Sequence, residues 1–167
     1  MKKILLVVLV GAAAWWYFAG GRTLSEENIA QFYRDHEAAT IGRNPDALCA
    51  ELAEDFVSIG SLTAGGQSHP QNRRKPEICS GYRSQYEAWD KLGEKMGGAL
   101  QLDSTYKVNS IQIASDRMSA VVDVSSTLDV AGTITNIRSQ SKDTLIRKNG
   151  KVLLQRSEGT ASITAGG

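Results

Sequence analysis

Few residues of this chain combine a reactive type with a spacing that places them. His36 follows Ile29, Phe32 and Tyr33 at helical intervals, which puts an imidazole on the buried face of one helix. An imidazole in that position acts either as a general base or substrate-carbonyl ligand, or as a core histidine hydrogen-bonded at its rim. Tyr33, Tyr82 and Tyr86 are candidates for an oxyanion-type hydroxyl, although aromatic stripes at helical spacing also build cores. Asp123 lies mid-strand, and alternation puts it with Ser125 and Thr127, opposite Val122 and Val124. His69 has no carboxylate or second histidine at ligand spacing, so the pattern does not support a metal site. Arg73-Arg74-Lys75 is a short basic run in a polar stretch, most simply a solvated turn. No Gly-x-Ser-x-Gly elbow, phosphate loop or dinucleotide fingerprint occurs, and no cofactor is expected.

Helices must carry the first of these residues. Ser25 caps a helix with Glu26 and Glu27 in its first turn, Leu24 is placed to staple onto Ile29, and Gly42 ends the element. Asn44-Pro45 begins a second helix, which the pattern carries through Leu48, Cys49, Leu52 and Phe56 to a short strand near Phe56–Ile59. A long polar loop is expected from Gly60 to Lys75. A third helix runs from Pro76 to about Met96 and presents Ile78, Tyr82, Tyr86, Trp89, Leu92 and Met96 as one stripe. Four long antiparallel strands follow, with a bulge near Asn109-Ser110 and a type I′ turn at Asn149-Gly150. Helices gathered towards one end of such a chain cover one face of its sheet, an α+β arrangement.

The chain of 167 residues is sized for one domain behind a leader. Met1-Lys2-Lys3 precedes Ile4–Gly21, eighteen residues without a charge, so residues 1–21 are expected to be an export signal or a signal anchor. Trp15-Trp16-Tyr17-Phe18 suits the outer belt of an uncleaved spanning helix, whereas Ala19 and Gly21 suit cleavage after Gly21. Both readings export residues 22–167, as a periplasmic or secreted domain if cleaved and as a membrane-anchored one if not. Setting Lys2 and Lys3 aside leaves 17 basic against 18 acidic residues, which gives no footprint for nucleic acid. Cys49 and Cys79 are the only cysteines, and in an oxidising compartment they are expected to pair, with two buried free thiols as the alternative.

The element order, together with FYRDHEAATIGRNPDALCAELAEDFVSIG, resembles the nuclear transport factor 2-like superfamily, also called SnoaL-like or ketosteroid isomerase-like. An aromatic helix, an Asn-Pro-Asp turn and the acidic pair Glu54-Asp55 before Phe56-Val57 carry the likeness over Ser25–Ile163. The resemblance implies three N-terminal helices packed on a curved antiparallel sheet, a cystatin-like cone enclosing a pocket. It implies pocket-lining roles for Phe32, Tyr33, His36, Phe56, Tyr82, Tyr86 and Trp89. The superfamily's paired-acid catalytic pattern cannot be placed here, so His36 alone is a catalytic candidate. The long polar strand over Thr133–Lys142 favours a non-catalytic binding or assembly domain, a homodimer through the sheet face or a protein partner. An apolar small-molecule carrier or an isomerase or dehydratase is the alternative.

Overall fold

A computed structural model describes residues 8, 11, 21–98, 100–132 and 134–165. The expected leader helix at 1–21 therefore lies, apart from three residues, outside the described ones. Among the described residues no helix is long and apolar enough to cross a membrane. The chain enters the domain at Gly21–Leu24, where Gly150 N–H donates to Gly21 O at 2.9 Å and Leu24 N–H donates to Arg117 O at 2.6 Å. Two turns of the sheet thus pin the start of the domain at Gly21 and Leu24.

Helix α1 spans Glu26–Ile41, and its Ser25 cap accepts a hydrogen bond from Asn28 N at 3.2 Å. Helix α2, Pro45–Ala50, is capped by the Asn44 side chain. Strand β1, Leu52–Ala64, and strand β2, Gln67–Arg74, come next, followed by helix α3, Lys75–Lys95. Strands β3 (Leu102–Ile113), β4 (Ser119–Val130), β5 (Thr135–Lys148) and β6 (Lys151–Ala165) complete the chain.

Three expectations are corrected. The second helix stops at Ala50, so the first strand begins at Leu52 rather than near Phe56 and carries Leu52 and Phe56 into the core, and only two helices, not three, are N-terminal to the sheet. The segment expected to be a long loop is a β-hairpin turned by Gly65 and Gly66, both at positive φ. It carries little apolar alternation because β2 is a largely exposed edge strand. Nor is the sheet wholly antiparallel. Its order is β2-β1-β6-β5-β4-β3, and β1 runs parallel to β6. Such a pairing joins residues about a hundred positions apart, and no local pattern specifies its direction.

Register assigns the inner face. Val122 of β4 stands opposite Asp143 of β5, Asp143 opposite Ser157 of β6, Ser157 opposite Ser58 of β1, and Ser58 opposite Arg73 of β2. A register shift between Val108 and Ser110 brings Ile111 and Ile113 into phase with Tyr106 and Val108, as expected of the bulge. Leu24, Ile29, Phe32, Val122, Leu145 and their neighbours form the main apolar core. A second cluster gathers Leu48, Tyr86, Leu100 and Val130 at the other end of the helices.

Cys49 and Cys79 are disulfide-bonded across α2 and α3, with Cα atoms 5.5 Å apart. Closing this loop stabilises the fold by about 3–4 kcal/mol through the unfolded chain's lost freedom. Two glycines shape the rest of the inner face. A methyl on Gly60 would lie 1.7 Å from Gly159 O, and one on Gly159 would lie 2.1 Å from Gln140 O. Neither position accepts a side chain without backbone movement, so the sheet bends there over bare backbone.

Candidate functional site

A cavity of about 210 Å³ opens between the helices and the inner face of the sheet. Helix α1 contributes His36 and Thr40, helix α3 contributes Tyr82, Tyr86 and Trp89, and the sheet contributes Ser104, Tyr106 and Ser126. The helix contributions follow from spacing: 36 and 40 are one turn apart, as are 82, 86 and, nearly, 89.

His36 holds the most definite geometry. Its Nδ1 lies 2.6 Å from Glu51 Oε2, at the residue that ends α2, and both side chains are about 15% exposed. With Nδ1–H donating to the carboxylate, the neutral ring keeps its free lone pair on Nε2. The ring is stacked beside Phe32 and stands edge-on to Tyr106, with centroids 5.3 Å apart in the latter pair. These contacts restrict its rotation, which is what a positioned base requires.

Burial pushes the phenols of Tyr82 and Tyr106 upward, assisted for Tyr82 by the neighbouring Tyr86 and Glu51. Both therefore stay protonated through neutral pH, with an O–H available to donate. Tyr86 is likewise raised by burial, and its hydroxyl donates to Thr40 O at 3.2 Å.

Behind this wall lies a buried carboxylate. Asp143 accepts from Tyr33 Oη at 3.0 Å and from Ser157 Oγ at 2.7 Å. Desolvation raises its pKa, while the hydrogen bonds from Ser157, Ser141 and Tyr33 and the nearby His36 pull the other way. Tyr33 is raised in turn, first by burial and then by Asp143.

The expected site residues divide into two groups. His36, Tyr82, Tyr86 and Trp89 line the cavity. Phe32, Tyr33 and Phe56 belong instead to the main core with Val122, Val124 and Leu145, and α1 reaches the cavity only one turn later, at His36. Asp123 is on the opposite face of β4 from the core and is held by Asn109 Nδ2 at 3.0 Å. His69 is exposed on β2, and among the described residues no group of three His, Cys, Asp or Glu is placed to hold a metal ion. Lys75 of the basic run is tied to Leu52 O at 2.7 Å and to Glu54 at 2.8 Å. Glu51, Tyr106 and Asp143 were not singled out by sequence reasoning. The inward phase of Leu145, two residues on, is the one signal that points to Asp143.

No family model matches the sequence, and no curated protein matches it. Solved structures do match. A scytalone dehydratase-like protein of Novosphingobium aromaticivorans superposes with a TM-score of 0.59 at 14% identity, over 83% of this chain and 85% of that one. A nuclear transport factor 2-like protein of Shewanella oneidensis gives 0.56 at 14%, over 80% and 97%. A ketosteroid isomerase-like protein of Erwinia carotovora gives 0.51 at 18%, over 85% and 99%. The chain has the nuclear transport factor 2-like fold. At these identities the likeness is one of fold, and the site must be argued from its own residues.

The buried carboxylate generates a prediction. A carboxyl whose pKa is higher in the folded than in the unfolded state contributes most stability below its unfolded value, and that contribution is lost as pH rises through the folded one. Asp143→Asn removes this dependence while keeping a polar partner for Tyr33 and Ser157. The melting temperature of the variant relative to the native chain should therefore be higher at pH 7 than at pH 4. A difference that is constant, or larger at pH 4, would contradict the assignment.

Proposed function

We propose that the cavity is a general acid–base site that moves a proton on a small carbonyl or hydroxycarbonyl compound, in an isomerisation or a dehydration. His36 is the base, Glu51 is the positioning residue that holds its tautomer, and Tyr82 and Tyr106 donate to the oxygen on which charge develops. The observation that carries this reading is the 2.6 Å His36–Glu51 pair on the wall of a cavity that also presents raised, protonated tyrosines. A base and an oxyanion donor facing one small volume are the two groups that enolisation needs. Loss of a proton beside a carbonyl, followed by return of a proton elsewhere, isomerises the compound. Loss of the same proton with departure of a β-hydroxyl as water dehydrates it. The fold neighbours support the reading by description only, and it departs from the binding or assembly role that the polar strand favours.

We infer also that the domain works outside the cytoplasm. The basic start, the uncharged run to Gly21 and the Cys49–Cys79 bond support export. Acid-quenched alkylation of the chain taken from cells should find neither cysteine modified, and free thiols would count against export.

The chemical proposal is tested by α-proton exchange of 2-tetralone in D2O, followed by proton NMR. The full chain should accelerate exchange over buffer, and His36→Gln should remove about 10²–10⁴-fold of that acceleration. Exchange at the native rate in the variant, or no acceleration by the native chain, would overturn the assignment of His36.

A further inference from the structure

A second cavity, of about 270 Å³, lies on the same inner face towards the free edge of the hairpin. Its floor is built from small residues. Ser58, Ser141 and Ser157 face it, and Gly60 and Gly159 leave bare backbone between them. Ile78 of α3 contributes from above, and Gln71 and Arg73 of β2 stand at the edge. Arg73 is the one cation of this lining, which contains no carboxylate. The nearest acidic residue in sequence is already engaged, since Glu77 Oε2 accepts from Arg74 N at 2.9 Å in the cap of α3. Next to Ser157 in the same cross-strand row, the Asp143 carboxylate accepts from the Ser157 and Tyr33 hydroxyls and is not part of this lining.

The two cavities adjoin. Ser126 lines the His36 cavity, Ser139 lines the second, and their hydroxyl oxygens are 2.6 Å apart. One helix roofs both: Ile78 stands over the second cavity, and Tyr82, Tyr86 and Trp89 stand over the first. Ile78 and Tyr86 are eight residues apart on one face of α3, about 12 Å at roughly 1.5 Å per residue. A ligand spanning both cavities would lie along at least this stretch of α3, with a ring or carbonyl head in the first cavity and a second recognition group in the other.

We propose that Arg73 is an anion-binding residue at the far end of this groove, and that the ligand is an elongated carboxylic acid whose apolar body lies under α3. This rests on the reading of the His36 cavity as the place of the ligand's head. A guanidinium offers paired N–H groups to a carboxylate in a planar fork, and the Gln71 amide and Ser58 hydroxyl add neutral donors beside it. Sequence alone places Arg73 in a solvated turn. It is exposed, but it lies on a strand, and the hairpin aligns it with Ser58 and Ser157 in one cross-strand row of the inner face.

Calorimetric titration of the full chain with 8-phenyloctanoate and with its methyl ester tests the proposal. The acid should bind at least tenfold more tightly than the ester. Arg73→Gln should abolish that preference by weakening the acid alone, whereas Trp89→Ala should weaken both ligands. Equal affinity of acid and ester, a preference that survives in Arg73→Gln, or no binding of either ligand would overturn it. The outcome is separable from that of proton exchange. An intact acid preference with no His36-dependent exchange refutes the acid–base reading and leaves an acid-binding groove. The converse result removes the Arg73 subsite alone.

Discussion

One cross-strand row fixes the character of this molecule. From Ile111 and Val122 it passes to Asp143, Ser157, Ser58 and finally Arg73, crossing the whole inner face of the sheet. Side-chain alternation obliges all six to face the same way. The helices therefore meet an apolar surface at one end of the row and a polar one at the other. Where α1 covers the apolar end, the core closes over Ile29 and Val122. Where the row turns polar the helices do not close it, and the remaining space becomes the groove. Asp143 stands at the changeover, and the hydrogen bonds from Tyr33, Ser157 and Ser141 offset the cost of its burial.

The same division explains how a fold with few reactive residues concentrates them. His36 lies one turn beyond the last core residue of its helix face, so it inherits a fixed backbone without being sealed in. The disulfide ties α2 to α3 two residues before Glu51, and so holds the accepting carboxylate close to the helix that carries Tyr82 and Tyr86. Burial of Tyr82 and Tyr106 keeps their protons in place. These are separate physical causes that converge on one volume of about 210 Å³.

Features governed by short-range chemistry were legible in the sequence. The Ser25 and Asn44 caps, the Asn149-Gly150 turn with both residues at positive φ, and the bulge before Ile111 each depend on a few neighbouring residues. His36 was legible because helical phase alone places it. Its partner was not, since Glu51 reaches it only through the packing of α1 against α2. The β1–β2 hairpin escaped notice because its strands lack apolar alternation, as does the segment of β5 that holds Asp143. Polar residues on the inner face of a sheet look like loop or surface until register shows what stands across from them.

The central claim is that Glu51 holds the His36 ring with its proton on Nδ1 and its lone pair on Nε2. Two-bond proton–nitrogen correlation on histidine-labelled full chain at pH 8, assigned with His69→Gln, reads this directly. The account predicts a protonated Nδ1 and a bare Nε2 for His36, with that state lost in Glu51→Ala. A bare Nδ1 with the proton on Nε2, or a tautomer mixture indifferent to Glu51, would contradict it.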